Sequence, residues 1–382
     1  MKKLIVFGTA AFLIIMTGLC FVLPGKEISL SERRPLKQFP EISVERILSG
    51  KFMSEFEGYA ADQFPMRETW HSIKANLMIN VFGQKENNDL YYQDGHLAKI
   101  EYPLNEGSLR RAAGIFKKLY TEQMESKNCN VYFSLIPDKN YFLGYDHLQM
   151  DYEKLTTIMC DELEMMTYID IFDLLDVNNY YRTDTHWRQE DLLPVAERLV
   201  KGMGGEFSAE YMVEETGNVF TEHYKKIEVD EPFYGVYYGQ AALDVAPDKM
   251  FYLTNKKLEN CVVYDHQNDR EISMYDMSKL EGNDPYEMFL GGPLSLITIQ
   301  NLNVFLDSQE TVGSSAEKEL IIFRDSFGSS IAPLMIDNYS KVTLVDIRYL
   351  ASALVGNYLD FENADVLFLY STSVLNHSET IK

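Results

Sequence analysis

Residues 319–338 read Glu-Leu-Ile-Ile-Phe-Arg-Asp-Ser-Phe-Gly-Ser-Ser-Ile-Ala-Pro-Leu-Met-Ile-Asp-Asn. The apolar run over 319–323 predicts a strand buried on both faces, and the spacing after Gly328 predicts a helix over 328–338. Ser326 falls at the junction. In an open α/β sheet, ligand sites lie beyond the carboxyl ends of the strands, so a hydroxyl here is placed to act as a nucleophile. The helix that follows would offer backbone N–H groups to a developing oxyanion. A serine at this position also serves as a helix N-cap, and taken alone that is the commoner role.

The same alternation extends in both directions. Asn130–Ile136 is a short apolar strand following an amphipathic helix over 107–127. A helix over 152–166, a second strand near 168–172 and a helix over 188–203 come next, with Pro194 kinking that last helix or marking a later start. Strands over 341–346 and 365–370, with a helix near 349–358 between them, close the chain. Strands spaced by helices imply a parallel sheet covered on both faces, in a three-layer α/β fold. Residues 207–303 break the rhythm with Tyr-, Phe- and Val-rich runs and are read as a β-rich insertion. Two helices are expected over 44–82, separated around 62–67.

The N-terminus stands apart. Residues 4–23 carry no charge and follow Lys2 and Lys3. Twenty residues at about 1.5 Å each match a hydrocarbon core of about 30 Å, and the lysines put the body outside the cytoplasm. A cleaved signal peptide is the competing reading, but the run is long and no Ala-x-Ala step follows it. Segment 1–26 is therefore read as an anchor or signal, 27–43 as an extended linker, and 44–382 as the globular domain.

With 46% hydrophobic and 13% aromatic residues in 382, the chain can bury a sizeable core. A net charge of −23 excludes the basic surface that nucleic acid requires. Outside the apolar segment three cysteines remain, Cys129, Cys160 and Cys261, an odd count with no metal-binding spacing.

A serine nucleophile needs a base, and residues 181–190 (Tyr-Arg-Thr-Asp-Thr-His-Trp-Arg-Gln-Glu) supply one. Asp184 and His186, two residues apart, face the same side of an extended backbone. A carboxylate so placed holds the imidazole in one tautomer and stabilises its protonated form. A metal site would need further close His or Cys, and none accompanies the pair, so neither metal nor cofactor is expected. The Gly-x-Ser-x-Gly elbow of common lipases is absent, because Arg324 occupies its first glycine position.

Asp-Thr-His-Trp at 184–187 resembles the motif of the DHHW family, with Thr185 in place of the first His, and Phe-Arg-Asp-Ser-Phe-Gly at 323–328 resembles its second motif. The similarity extends to Glu32-Arg33-Arg34, Phe39-Pro40, Gly50-Lys51-Phe52, Phe56-Glu57, Asp62-Gln63-Phe64-Pro65 with Arg67, Phe289-Leu290-Gly291-Gly292, and Asp346-Ile347-Arg348-Tyr349. That family is similar to the alginate O-acetylation proteins of the SGNH hydrolase superfamily. The resemblance implies an SGNH-like, flavodoxin-like domain with Ser326 as nucleophile, His186 as base and Asp184 as its orienting group. It also implies acetyl transfer on or off an extracellular polysaccharide, with a membrane-bound O-acyltransferase as the partner that supplies acetyl groups.

The backbone N–H of Ser326 is the first candidate oxyanion donor, and Gly291 and Gly292 are a second, since glycine lets backbone approach a ligand closely. Lys139, Arg324 and Arg348 are candidates to line the cleft. The reading is a serine-dependent O-acetyltransferase or acetylesterase. Its alternative is a non-catalytic glycan-binding or assembly protein, in which Ser326 and His186 would lie too far apart to bond.

Overall fold

The structure is a computed structural model and describes residues 2–29, 32–207, 211–213, 219–221, 224–303 and 318–382. His223 and parts of the expected insertion lie outside the described residues. The chain divides into two compact units, Met1–Tyr91 with Val236–Ala246, and Tyr92–Gly235 with Pro247–Lys382. A single domain over 44–382 was expected; instead the helices after residue 44 gather around ion pairs of their own.

The first unit begins with helix α1 (Lys2–Val22), whose Lys3–Cys20 stretch is long and apolar enough to cross a membrane by length and composition. Segment 27–43, expected to be an extended linker, makes backbone pairings of its own. Ile28–Ser29 pairs antiparallel with Arg34–Pro35, and Leu36 N–H donates to Glu27 O at 2.8 Å. Helices α2 (Val44–Leu48), α3 (Lys51–Asp62) and α4 (Arg67–Asn76, continued by a wider turn to Val81) follow. Three helices form where two were expected, because Gly50 takes a φ of 76° and ends the first after one turn.

Charge binds the linker to these helices. Asp62, nearly buried, accepts both Arg34 guanidinium nitrogens at 2.9 and 2.6 Å and Lys37 N–H at 2.9 Å. Arg67 donates to both Glu32 oxygens at 2.6 and 2.8 Å. A carboxylate withdrawn from water needs such donors, and the sequence places them on the preceding segment.

The second unit is built on eight strands: β1 (Asn130–Ile136), β2 (Thr167–Tyr168), β3 (Cys261–Asp265), β4 (Arg270–Ile272), β5 (Leu296–Asn301), β6 (Glu319–Arg324), β7 (Lys341–Val345) and β8 (Asp365–Ser371). Their order across the sheet is β4-β3-β5-β7-β6-β8-β1-β2. From β7 to β2 the pairs are parallel; β5, β3 and β4 add on antiparallel. Three stretches of the expected β-rich insertion, Cys261–Asp265, Arg270–Ile272 and Leu296–Asn301, thus extend the central sheet, while Val236–Ala241 within the same span is helical. Only β3 and β4 are joined by a short return; β5 pairs with β3 and with β7 across longer connections.

Alternation along the central strands builds two cores. Leu320 and Ile322 of β6 join Leu367 and Leu369 of β8 on one face, with helix α8 (Leu193–Gly202). Ile321 and Phe323 join Val366, Phe368 and Tyr370 on the other, with helices α5 (Glu106–Leu119) and α7 (Tyr152–Glu162). The result is a three-layer α/β fold with the sheet between helices. Helix α8 starts late, at Leu193, because Pro194 suits a first turn and not an interior. The chain runs from β6 to β7 on one side and then crosses to β8 on the other. The C-terminal end of β6 is therefore a switch point, where an open sheet leaves a crevice.

Candidate active site

At the end of β6 the fully buried Asp325 folds the chain back. Its carboxylate accepts Phe327 N–H at 3.0 Å, and Ser371 at the end of β8 gives it N–H at 2.8 Å and Oγ–H at 2.7 Å. This ties the turn to the neighbouring strand and leaves Ser326, part-exposed, just beyond the C-terminal end of a central strand. The helix expected over 328–338 is the single turn α9 (Gly328–Ile331), continued as a 3-10 turn. Its first N–H groups are already spent: Gly328 donates to Asp325 O and Ser329 to Ser326 O, both at 3.2 Å. The expected helix-terminus donors are thus occupied, and among the described residues the Ser326 N–H has no backbone partner.

Residues 180–187 turn tightly, with Tyr180 bridged to Trp187 and Tyr181 N–H bonded to His186 O at 3.1 Å. Asp184 is wholly buried and reaches His186 twice, from Nδ1 at 2.6 Å and from the backbone N–H at 3.1 Å. On the far side of the ring, His186 Nε2 lies 2.7 Å from Ser326 Oγ. With Asp184 ionised, Nδ1 carries the proton and Nε2 is free to accept from the hydroxyl. Residues 140 positions apart therefore form one hydrogen-bonded row.

Groups that no local motif marks hold this row in place. Asp248 accepts Arg182 N–H at 2.8 Å, Thr183 N–H at 2.9 Å and Thr183 Oγ1–H at 2.7 Å. Gly235 N–H donates in turn to Thr183 Oγ1 at 2.8 Å. Gly235 backs onto the loop so closely that a Cβ there would sit 2.3 Å from Asp184 Cβ. Trp187 Nε1 donates to Phe327 O at 3.1 Å and to Ser330 Oγ at 2.9 Å, and Gln189 bonds Ser330 O at 2.6 Å. The His186 neighbourhood is thereby stitched to the Ser326 turn.

Tyr286 lies flat on the imidazole, ring centres 3.8 Å apart and planes 7° from parallel, while Phe327 is tilted against the same ring at 5.0 Å. The Tyr286 hydroxyl donates to Ser330 Oγ at 2.8 Å. Sequence reasoning missed Tyr286, Asp248 and Gly235, because each reaches the site from a distant segment without a recognisable spacing. Trp187 and Ser330 carried a weak signal: one follows His186, and the other is one turn beyond Ser326.

The remaining candidates have other surroundings. Lys139 is buried beneath the 181–184 loop and donates to Tyr181 O at 3.0 Å and Arg182 O at 3.3 Å. Burial pushes its ammonium down to about 7, against the attraction of Asp184 and Asp248. It supports the loop and does not line an open cleft. Arg324 is also buried, 3.8 Å from Asp346, and burial lowers its guanidinium. Arg348 grips the same Asp346 through two nitrogens at 2.9 and 2.7 Å. Gly291 and Gly292, both at positive φ, form a turn whose neighbours are Ile272, Leu294 and Glu287, none of them in the hydrogen-bonded row. Among the described residues no His, Cys, Asp and Glu cluster suited to a metal occurs.

No family model matches the sequence, and neither does any curated protein. Solved structures do match in fold. A DHHW family protein from Eubacterium siraeum DSM 15702 is similar over 78% of this chain and 95% of its own, at 18% identity and a TM-score of 0.56. Bacillus cereus PatB1 is similar over 77% of this chain and 98% of its own, at 18% identity and a TM-score of 0.57, and it has also been solved with a sulfonyl adduct. The chain thus shares the three-layer α/β fold of a DHHW family protein and of PatB1.

Proposed function

We propose that this chain is an extracytoplasmic serine-dependent O-acetyltransferase or acetylesterase acting on a cell-envelope or exported polysaccharide. The observation that carries the reading is the row Asp184–His186–Ser326, with contacts of 2.6 and 2.7 Å. The resemblance of the 184–187 and 323–328 motifs to the DHHW family, and its likeness to the alginate-acetylating proteins, supply the substrate class. The apolar α1 agrees with a body held at, or exported across, a membrane.

In this mechanism Ser326 Oγ attacks the acetyl carbonyl as His186 Nε2 takes its proton. Asp184 holds Nδ1–H and stabilises the imidazolium. Negative charge on the former carbonyl oxygen is met by the Ser326 N–H. Collapse breaks the bond to the leaving group, which receives the proton from His186, and acetyl-Ser326 remains. A sugar hydroxyl or water then gives its proton to His186 as its oxygen attacks the acyl carbon, and Ser326 Oγ recovers that proton on release. A membrane-bound O-acyltransferase is the proposed source of acetyl groups, and a polysaccharide the acceptor.

The glycan-binding alternative requires Ser326 and His186 to be parted, a feature that a 2.7 Å separation does not support. The test is incubation of the full chain with p-nitrophenyl acetate or a sulfonyl fluoride, followed by intact mass and peptide mapping. Wild type should gain one acetyl or sulfonyl group on Ser326, and Ser326→Ala and His186→Ala should gain none. Equal labelling of all three would overturn the assignment. The ratio of acetylated glycan to free acetate then separates transfer from hydrolysis.

A further inference from the structure

Tyrosine supplies 25 of the 382 residues, and one of them, Tyr286, lies on the catalytic imidazole. Three others stand exposed at the carboxyl edge of the parallel strands, where Ser326 lies. The strand order β7-β6-β8-β1 fixes their places. Tyr349 follows β7, one strand from the end of β6 that carries Ser326. Tyr141, in helix α6 (Lys139–Leu143), and Tyr145, in the turn after it, follow β1, two strands away on the other side. At about 4.8 Å between strands, these segments leave the sheet about 5 and 10 Å to either side of the strand that carries Ser326. Helix α6 also meets the catalytic loop, since its Lys139 donates to Tyr181 O and Arg182 O.

An exposed ring by itself signals nothing, because much of any protein surface is apolar. These three are exposed and also held in place. Tyr145, 67% exposed, donates its hydroxyl to Asp94 Oδ2 at 3.0 Å. Tyr349, 55% exposed, lies under the Arg348 guanidinium, 5.7 Å from its ring centre, and Arg348 is itself gripped by both oxygens of Asp346. Tyr141, 38% exposed, is met edge-on by Phe142, Tyr152 and Phe172, each with ring centres 5.0 Å away. Rings fixed in advance lose little side-chain freedom when a ligand lands on them. The negative face of an aromatic ring attracts C–H bonds, and a pyranose with equatorial substituents presents a face made of them. Charge narrows the class. Asp94 bonds Tyr145, Asp146 follows it, Arg348 is paired with Asp346, and the whole chain carries −23, so the field favours a neutral glycan over a polyanion.

We infer that Tyr141, Tyr145 and Tyr349 are stacking subsites for the acceptor, a neutral glycan of equatorially substituted pyranose rings that crosses Ser326 along the carboxyl edge of the sheet. The inference rests on the acetyl-transfer reading for the acceptor's role, while binding itself needs no acetyl group. A chain held on both sides of Ser326 brings a sugar hydroxyl to the acyl-serine and excludes water there.

The test is calorimetric titration of the full chain, carrying Ser326→Ala and held in a detergent without a sugar headgroup, with cellohexaose, chitohexaose and hexagalacturonate. No acetyl donor is present, so binding is read apart from the acetylation of Ser326 and either reading can fail alone. A neutral hexasaccharide should bind saturably. Tyr145→Ala and Tyr349→Ala should each weaken that binding roughly two- to tenfold, as the loss of one aromatic contact does. Tyr349→Phe keeps the ring and should keep the affinity, which separates stacking from a disturbed fold. Tyr358, 61% exposed in the segment leading into the start of β8, is the control, and Tyr358→Ala should change nothing. Binding of neither neutral hexasaccharide, unchanged affinity in Tyr145→Ala and Tyr349→Ala, or a preference for hexagalacturonate would overturn the inference.

Discussion

Gly235→Ala is the sharpest perturbation of the site that leaves all its reacting groups in place. A methyl built on Gly235 would stand 2.3 Å from Asp184 Cβ and Thr183 O, and 2.4 Å from Asp184 Cα. Ordinary contact begins near 3.4 Å, so the 183–184 backbone must withdraw by about 1 Å. Thr183 is already held by Asp248, which resists the shift and passes it to Asp184. Overpacking of this kind costs about 1–3 kcal/mol of stability. A misplacement of about 1 Å in a reacting constellation costs about a hundredfold in rate. The assay is the rate of Ser326 acetylation by p-nitrophenyl acetate, read by intact mass, alongside thermal unfolding. The Asp184–His186 bond can be followed separately through the downfield proton resonance of Nδ1–H. A variant that folds, keeps that resonance and acetylates at the wild-type rate would refute the claim that backbone contact at Gly235 sets the position of Asp184.

Other outcomes follow from the same geometry. Tyr286→Leu removes the ring lying flat on the imidazole and should slow Ser326 acetylation by roughly two- to thirtyfold, as a contact worth about 0.5–2 kcal/mol in the transition state would. Tyr286→Phe keeps the stack and should keep the rate, so equal rates for both variants would dismiss the role. Burial pushes Lys139 down to about 7 from 10.5, so the unfolded chain holds the extra proton and stability rises with pH between those values. Burial pushes the neighbouring Asp138 up to about 6 from 3.8, so stability falls with rising pH over that lower range. Urea unfolding across pH should show Lys139→Met losing the upper limb and Asp138→Asn the lower one. In the first unit, Asp62→Ala removes the acceptor shared by Arg34 and Lys37 N–H, leaving Arg34 its bond to Glu32, and should cost roughly 0.5–1.5 kcal/mol by denaturant titration. An unchanged midpoint would show that the 27–43 segment is held by other contacts.

Periodicity and composition alone carry much of the architecture. The apolar runs over 130–136, 319–323 and 365–370 read as buried strands because both of their faces meet core, and β1, β6 and β8 occupy those stretches. The placing of Ser326 after such a strand, and of Asp184 two residues before His186, are local facts, so the hydrogen-bonded row could be named from its parts. The polarity of 27–43 does not mark solvated linker charges alone, since Arg34 and Glu32 serve as partners for Asp62 and Arg67. The strands at 261–301 were legible as strand but not as sheet, because β5 pairs with β7 with β6 lying between them in the chain, and local spacing records no such partner.

Residue order by itself settles the strands, the N-terminal apolar helix, and the identity of a serine, a histidine and an aspartate suited to act together. Only the tertiary structure brings His186 within 2.7 Å of a serine 140 residues away. It alone lays Tyr286 on the imidazole and closes Gly235 and Asp248 behind the Asp184 loop. The physical reason is the range of the forces involved. Backbone propensity and hydrophobic period act over a few residues and are written in local spacing, whereas ring stacking, backbone clearance and the pairing of buried charges act between segments that folding has first to bring together.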